Sequence, residues 1–195
     1  MKPINGFTSE LRKKGYEQLP AGPYVAKIVA VKLEGNEPDQ TLILRLDVAE
    51  GPYTGYYTKR FQHDSQNDRS RYPAKYKGDF RLRVPNENNK RAQYPESDMA
   101  NFKDFVAKIE ESNPGYHWDW NEQGLRGLLI GINVQQGTYN GSAYTKIKFL
   151  EIVDEVRNGQ VATLPPMEPR GDAWEPPVDQ QSGMVMVNTD DVPFE

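Results

Sequence analysis

Hydrophobic and polar residues alternate along several stretches of the chain, and this period of two predicts β-strands with one buried face. The clearest stretch is TLILRLDV (41–48), where Leu42 and every second residue after it face inward. Its outward-facing residues are Thr41, Ile43, Arg45 and Asp47. Four further strands are predicted at 20–34, 56–61, 127–134 and 144–153. DFRLRVP at 79–85 is left open as a short extra strand or as part of a loop.

The period changes in PESDMANFKDFVAKIEESNPG (95–115), where apolar residues recur at helical spacing. Acidic residues lie in its first turn and Asn-Pro-Gly ends it, so the stretch predicts one amphipathic helix. A long polar and basic loop is expected between the 56–61 strand and this helix. From about residue 157 the sequence is acidic and rich in proline and shows no period, which predicts a disordered tail.

The predicted order is therefore β-β-β-α-β-β followed by a tail. Five antiparallel strands with one helix after the third are typical of a five-stranded OB-fold barrel, an all-β class with one helix. An α+β sandwich is the structural alternative. The expected organisation is a polar leader over 1–19, the OB-fold domain over 20–156 and a disordered, proline-rich acidic tail over 157–195. OB barrels bind oligonucleotides or oligosaccharides on the outer surface of strands 2 and 3, but the fold alone does not fix the ligand.

Composition removes several kinds of chemistry from consideration. The chain has no cysteine, so it has no disulfide, thiolate nucleophile or zinc ribbon, and its two histidines, His63 and His117, are far apart. No apolar run is long enough to span a bilayer, and the residues after Met1 lack the core of a signal peptide. We therefore expect a cytoplasmic protein without a membrane segment.

Motifs for catalysis are also lacking. The sequence contains neither a phosphate-binding P-loop nor a Gly-x-Ser-x-Gly nucleophile elbow. Acidic pairs that a magnesium-dependent nuclease would need are limited to Asp64 with Asp68 and Asp98 with Asp104. The second pair lies in the first turns of a predicted helix, where the helix dipole already favours acids. We expect no enzymatic activity, no cofactor and no metal.

Charge is distributed unevenly around a net value of −4. Residues 56–91 contain ten basic and four acidic residues, whereas residues 151–195 contain two basic and ten acidic residues. This asymmetry predicts a basic surface and an acidic tail in one molecule, which attract each other over about 8 to 10 Å at physiological salt.

Aromatic and basic residues interleave between residues 53 and 83. Single-stranded nucleic acid needs both, because cations neutralise phosphates and exposed rings stack on bases. The candidate single-stranded-DNA-binding residues, which include two lysines on one face of the last strand, are Arg45, Tyr53, Tyr56, Tyr57, Lys59, Arg60, Arg69, Arg71, Tyr72, Lys75, Tyr76, Lys77, Arg81, Arg83, Lys146 and Lys148.

An alternative use of these aromatics is structural: the rings fill the barrel and the cations form its solvated rim. The density of positive charge favours the binding interpretation. For Trp118 and Trp120, which alternate in GYHWDWN, the sequence favours packing of the helix end against the barrel over stacking on bases.

Two parts of the sequence resemble known proteins. The tip DDVPF (190–194) resembles the Asp-Asp-Asp-Ile-Pro-Phe ending of bacterial single-stranded DNA-binding proteins. PAGPYVAKIVAVK (20–32), LDVAEGPYTGYYTKRF (46–61) and FKDFVAKIEESNPGYHWDWN (102–121) resemble the single-stranded DNA-binding proteins of phages and prophages of low-GC Gram-positive bacteria. That likeness covers roughly residues 20–155.

The resemblance implies a non-catalytic protein that coats single-stranded DNA during phage DNA replication, recombination or repair in the cytoplasm of a bacterial host. It also implies a tip that binds phage or host replication and recombination proteins through Asp190, Asp191, Val192, Pro193 and Phe194. A tail that only keeps the protein soluble is the alternative. In the bacterial proteins the phenylalanine is the last residue, whereas here Glu195 follows it. A protein-interaction or virion component with the same barrel and a metal-dependent nuclease are the alternative functions. Association into a homo-oligomer and the choice between DNA and RNA are left open.

Overall fold

A computed structural model describes residues 16–67, 73–86, 95–139 and 142–168. Its five strands are β1 (Gly22–Glu34), β2 (Thr41–Val48), β3 (Asp79–Arg83), β4 (Leu129–Tyr139) and β5 (Ser142–Glu151). Its helices are α1 (Tyr56–Asn67), α2 (Pro95–Ser112) and α3 (Val153–Arg157), and a 3₁₀ turn covers Glu122–Leu125. Among the described residues, no helix combines the length and apolar character needed to cross a membrane.

The five strands form one antiparallel sheet in the order β3-β2-β1-β4-β5, which curls into a nearly closed, OB-like barrel. The two outermost strands, β3 and β5, are not paired with each other, so the barrel has one open seam. Helix α2 contacts β3, β4 and β5 and therefore lies against this seam. The predicted five-stranded OB-like barrel, with a helix between its third and fourth strands, is confirmed.

The barrel interior is built from alternate residues of its strands. On β2, Leu42, Leu44, Leu46 and Val48 are buried, as the alternation predicts, but Ile43, which it places outward, is only 7% exposed as well. The alternate side chains stand beside Ala26 and Ile28 on β1 and beside Leu82 on β3 in the strand registers. Because burial of apolar area is the main favourable term in folding, this shared interior holds the five strands together. Outside the strands, its members are Phe102, Phe105 and Ile109 of α2, Leu125 of the 3₁₀ turn, Tyr56 and Tyr57 of α1, and Leu19.

The segment 56–61, predicted as the third strand, is instead the start of helix α1. Its first turn is capped by Asp47, whose carboxylate accepts hydrogen bonds from the backbone N–H groups of Tyr57 (2.9 Å) and Thr58 (3.3 Å). A third N–H group, that of Val48, lies 3.0 Å from the same carboxylate. The outward position predicted for Asp47 is thus covered by α1, and the residue is only 7% exposed. The third strand of the sheet is β3, the segment that the sequence left open.

Other boundaries also differ from the sequence prediction. Strand β4 continues to Tyr139, and β5 begins at Ser142, so most of the turn expected over 135–143 is strand. Residues 158–168, assigned to the tail, run along β4. In this segment Ala162 and Pro165 accept hydrogen bonds from Asn133 Nδ2 (3.0 Å) and Gln135 Nε2 (2.7 Å). Its Met167 N–H donates to the Gln136 carbonyl (2.8 Å), so this part of the predicted tail belongs to the barrel domain. Residues 169–195 lie outside the described residues.

The substitution Asp47→Ala is expected to lower the free energy of unfolding by about 1 to 3 kcal/mol, because it leaves buried N–H groups of α1 without an acceptor. Urea unfolding followed by far-UV circular dichroism measures this change. Asp104→Ala is the matched control, since it removes an exposed carboxylate that pairs with Lys108 on the same helix, and exposed pairs contribute about 0 to 1 kcal/mol. Equal losses in the two variants would show that the cap on α1 contributes nothing specific.

Candidate nucleic-acid interface

The outer surface of β2 and β3 carries three of the arginines predicted to bind DNA. In the strand register Arg45 lies opposite Asp79, Ile43 opposite Arg81 and Thr41 opposite Arg83. Every second residue of a strand points to the same side of the sheet, and residues directly opposite each other on paired strands also share a side. These arginines therefore share the face opposite the barrel interior. Strand β1 adds Lys32 and Glu34 beside them. We call this surface the β2–β3 face; its charged residues are Lys32, Glu34, Arg45, Asp79, Arg81 and Arg83.

Two of the arginines on the β2–β3 face are held by carboxylates. Arg45 makes a two-point contact with Asp79, with Nε 2.9 Å from Oδ1 and Nη2 3.2 Å from Oδ2. Arg81 Nη1 lies 2.7 Å from Glu34 Oε2. Arg83 is exposed and has no ion pair within the described parts of the chain. Four basic residues thus share the face with two acidic ones, and the surface keeps an excess of positive charge.

The ring of Tyr76 packs against the guanidinium of Arg45. The guanidinium carbon of Arg45 lies 4.6 Å from the centroid of the Tyr76 ring, a cation–π contact. The Tyr76 hydroxyl donates to the Leu46 carbonyl (3.1 Å). Burial raises the pKa of Tyr76 to about 12, so the phenol stays neutral and keeps donating near neutral pH. Arg45 is therefore fixed between the Tyr76 ring and the Asp79 carboxylate.

Two tyrosines predicted to contact bases are in the core. Tyr56 and Tyr57 are only 5% and 3% exposed, because helix α1 turns both rings toward the barrel. The Tyr56 hydroxyl accepts from the Leu19 N–H and donates to the Glu17 carbonyl, both at 2.8 Å. Burial raises the pKa of Tyr57 well above its usual range. The prediction that Tyr56 and Tyr57 stack on bases is wrong. Tyr53 is half-buried.

The remaining basic side chains between residues 53 and 83 differ in whether they are held by contacts within the protein. Arg60 Nη1 lies 3.2 Å from the Tyr56 hydroxyl, and its Nε lies 3.7 Å from Asp64. Lys59 Nζ donates to the Thr54 carbonyl (2.8 Å). These two are tied to α1 and the turn before it. In contrast, the two lysines flanking Tyr76, Lys75 and Lys77, are exposed. The candidates Arg69, Arg71 and Tyr72 lie outside the described residues.

The exposed rings of the described chain are not the ones that the sequence selected. Trp120, Tyr139 and Phe149 are 68%, 60% and 48% exposed. Phe149 follows Lys148, and both lie on β5 with Lys146, whose side chain is also exposed. The register of β4 and β5 shifts at this point, so the β-strand alternation used to read the sequence does not hold there. That irregularity is why sequence reasoning missed Phe149.

The rings of Trp118 and Trp120 pack against Phe102, in the first half of α2. Trp120 stacks on Phe102 with ring centroids 5.9 Å apart and an angle of 12° between the ring planes. Trp118 approaches Phe102 edge-on at 6.0 Å and packs against the core. The prediction of packing between helix and barrel is confirmed for Trp118, whereas Trp120 is 68% exposed and contacts the helix through Phe102 and not through its end.

Within the described residues, His, Cys, Asp and Glu side chains form no group of three or more that could hold a metal ion. No protein-family model matches the chain, and no curated protein matches it. A function is therefore inferred from the residues of the barrel itself.

The pKa of Glu34 is held below its usual value, mainly by the hydrogen bond and charge of Arg81, with a smaller contribution from Lys32. Arg81→Ala is expected to raise the pKa of Glu34 toward the ordinary value of about 4.3, and Lys32→Ala to raise it less. Carboxyl ¹³C NMR titration of the three proteins measures these pKa values.

The direction of the effect follows from linkage. Because the folded-state pKa is lowered, the contact between Glu34 and Arg81 is fully present above the ordinary pKa and is lost as the pH falls through the lowered one. An unchanged pKa in Arg81→Ala would show that the two side chains do not pair in solution.

Proposed function

We propose that this protein binds single-stranded DNA without sequence preference and acts in phage DNA replication, recombination or repair in the cytoplasm of a bacterial host. The observation that carries the proposal is the placement of Arg45, Arg81 and Arg83 on the outer face of β2 and β3. This is the surface on which OB barrels bind oligonucleotides.

Phosphate contacts supply most of the affinity in this proposal. Arg45 and Arg81 exchange their carboxylate partners for phosphate oxygens, which a guanidinium binds with two parallel hydrogen bonds. The exchange costs little, because exposed ion pairs contribute only about 0 to 1 kcal/mol. Arg83, Lys75 and Lys77 contact phosphates directly. These contacts do not depend on base identity, so binding tolerates any sequence.

Base stacking contributes less than the number of aromatic residues suggests. Tyr56 and Tyr57 are buried, and Tyr76 already carries Arg45 on its ring. Tyr139 at the end of β4 is exposed, and it borders the loop between β4 and β5 that OB barrels use for oligonucleotides. Binding dominated by phosphates depends strongly on salt, because each neutralised phosphate releases counterions.

The resemblance to phage and prophage single-stranded DNA-binding proteins supports the same proposal. We further propose that the tip, Asp190, Asp191, Val192, Pro193 and Phe194, recruits replication or recombination proteins. Phe194 would enter an apolar pocket while Asp190 and Asp191 meet basic residues around it. The tip lies outside the described residues, so its role rests on the sequence.

A second function is favoured by one observation on the same face. Arg45 and Arg81 already bind carboxylates, so an acidic protein surface would suit them as well as a phosphate backbone. In that case the chain is a protein-interaction or virion component and oligonucleotides do not bind. A nuclease would instead shorten labelled DNA in the presence of magnesium.

Binding of fluorescently labelled oligo-dT, followed by anisotropy at several salt concentrations, tests the leading proposal. We expect tight binding that weakens steeply with salt. Replacing Arg45, Arg81 and Arg83 together by alanine should make the slope of log K against log salt shallower by about 2, since each phosphate contact on a single strand contributes about 0.7.

Lys103→Ala and Arg126→Ala are the controls, because these exposed cations lie on α2 and on the turn before β4. Both should keep the slope of the unmodified protein. Binding that does not respond to salt, or the absence of binding, would remove the proposal.

Deletion of residues 169–195 tests the role of the acidic tail. Binding of oligo-dT should stay the same or become tighter, because negative charge is removed. The deletion keeps residues 158–168, which are hydrogen-bonded to β4, so the barrel stays intact. Phe194→Ala in the full chain should leave DNA binding unchanged and reduce retention of replication or recombination proteins on the immobilised protein. Weaker DNA binding after the deletion would contradict the assignment of the tail.

A further inference from the structure

The open seam of the barrel forms a groove between β3 and β5, with α2 along it. The groove has a volume of about 360 Å³, within the range of pockets that hold small ligands. Its β3 wall includes Arg81 and Arg83, and its β5 wall includes Lys148 and Phe149. We call it the seam groove. It shares Arg81 and Arg83 with the β2–β3 face, so the two surfaces are continuous across β3.

The seam groove has mixed charge: α2 contributes Asp98 and Asp104, while the positive charge that is not paired lies on the β3 and β5 walls. The lysine of the helix wall, Lys108, is committed: its Nζ lies 2.9 Å from Asp104 Oδ2 and donates to the Leu150 carbonyl at 2.8 Å. Arg83 and Lys148 are exposed and make no ion pair within the described residues. Both are therefore available to an anionic ligand.

Phe149 adds an exposed ring to the same wall. Lys148 Nζ lies 5.6 Å from the centroid of the Phe149 ring, and the ring is 48% exposed. Lys148 is the extra residue of a bulge, since Phe149 pairs with Asn133 and Ile147 with Val134. A bulge changes the direction of the side chains around it. The Lys148 ammonium lies over this ring as Arg45 lies over Tyr76, but unlike Arg45 it has no carboxylate partner among the described residues. It can therefore move from the ring to a phosphate while a base stacks on the ring.

We propose that the seam groove is a second contact region for single-stranded nucleic acid. The strand leaves the β2–β3 face at Arg81 and Arg83, crosses the seam, stacks one base on Phe149 and places a phosphate at Lys148. The inference rests on the proposed function and extends the binding surface from β3 to β5. A peptide strand added to the edge of β5 fits less well, because Lys108 already occupies the Leu150 carbonyl.

The proposed contacts at Phe149 and Lys148 affect different properties of binding to an oligo-dT of about 12 nucleotides: its affinity and its salt dependence. Phe149→Leu should weaken binding about 5-fold or more at constant salt and leave the salt slope unchanged, because it removes a stacking ring and no charge. Phe149→Trp should keep the affinity, since it restores a ring. Lys148→Ala should make the salt slope shallower by about 0.7, the value of one phosphate contact on a single strand.

A shorter oligonucleotide distinguishes binding at the seam groove from binding at the β2–β3 face. The weaker binding of Phe149→Leu and the shallower slope of Lys148→Ala should both vanish with an oligo-dT of about 4 nucleotides, near the lower limit of an OB-fold site, because it occupies the β2–β3 face alone. Lys103→Ala, on the side of α2 away from the groove, should keep the slope at both lengths. Far-UV circular dichroism and thermal unfolding establish that each variant is folded. If Phe149→Leu were unfolded, Lys148→Ala would still test the groove through the salt slope.

The outcomes distinguish this inference from the proposed function. Tight, salt-dependent binding by the unmodified protein, with Phe149→Leu and Lys148→Ala both unchanged, would overturn the seam contact and leave the β2–β3 face intact. Failure of the unmodified protein to bind any oligo-dT would overturn the proposed function itself.

Discussion

The contact between the Asp47 carboxylate and the start of α1 is the interaction on which the arrangement of this barrel depends. An ionised group buried beside a strand is tolerated only where hydrogen bonds replace its water, and here three backbone N–H groups do so. The contact sets the first turn of α1 against β2 and turns Tyr56 and Tyr57 inward. After α1 the chain returns as β3, which pairs with the edge of β2 that β1 does not occupy. Tyr76, on the returning segment, packs against Arg45.

The β2–β3 face owes its form to partners within the protein as much as to its own cations. Asp79 and Tyr76 fix the guanidinium of Arg45, and Glu34 fixes that of Arg81. Side chains that are already ordered lose less entropy when a ligand binds. The same carboxylates compete with an incoming phosphate. The arginines of the face are therefore already oriented for a phosphate, and the carboxylates can displace it again. Arg83 and the seam groove extend this surface toward β5, where cations without ion pairs are found.

Local periodicity was enough to predict β1, β2, α2 and most of β4 and β5, because apolar residues recur in each at the spacing of its secondary structure. It also placed Arg45 outward, whereas the shared face of Arg81 and Arg83 follows from the pairing of β3 with β2. Local periodicity could not predict the helix at 56–67, because Tyr-Tyr-Thr favours a strand by propensity. The residue that caps the helix, Asp47, belongs to another element, β2. Phe149 was missed for a similar reason: the bulge that shifts its register depends on pairing with β4.

The segment 158–168 determines how a load on the C-terminal residues would enter the barrel. Its hydrogen bonds reach Asn133, Gln135 and Gln136, all on β4, which has a paired strand on each side. Tension from a partner bound beyond Glu168 would therefore be shared by a doubly supported strand before it reached β3 or the free edge of β5. Because Asn133 pairs with Phe149 on β5, that tension would pass beside the seam groove, where we propose that DNA binds.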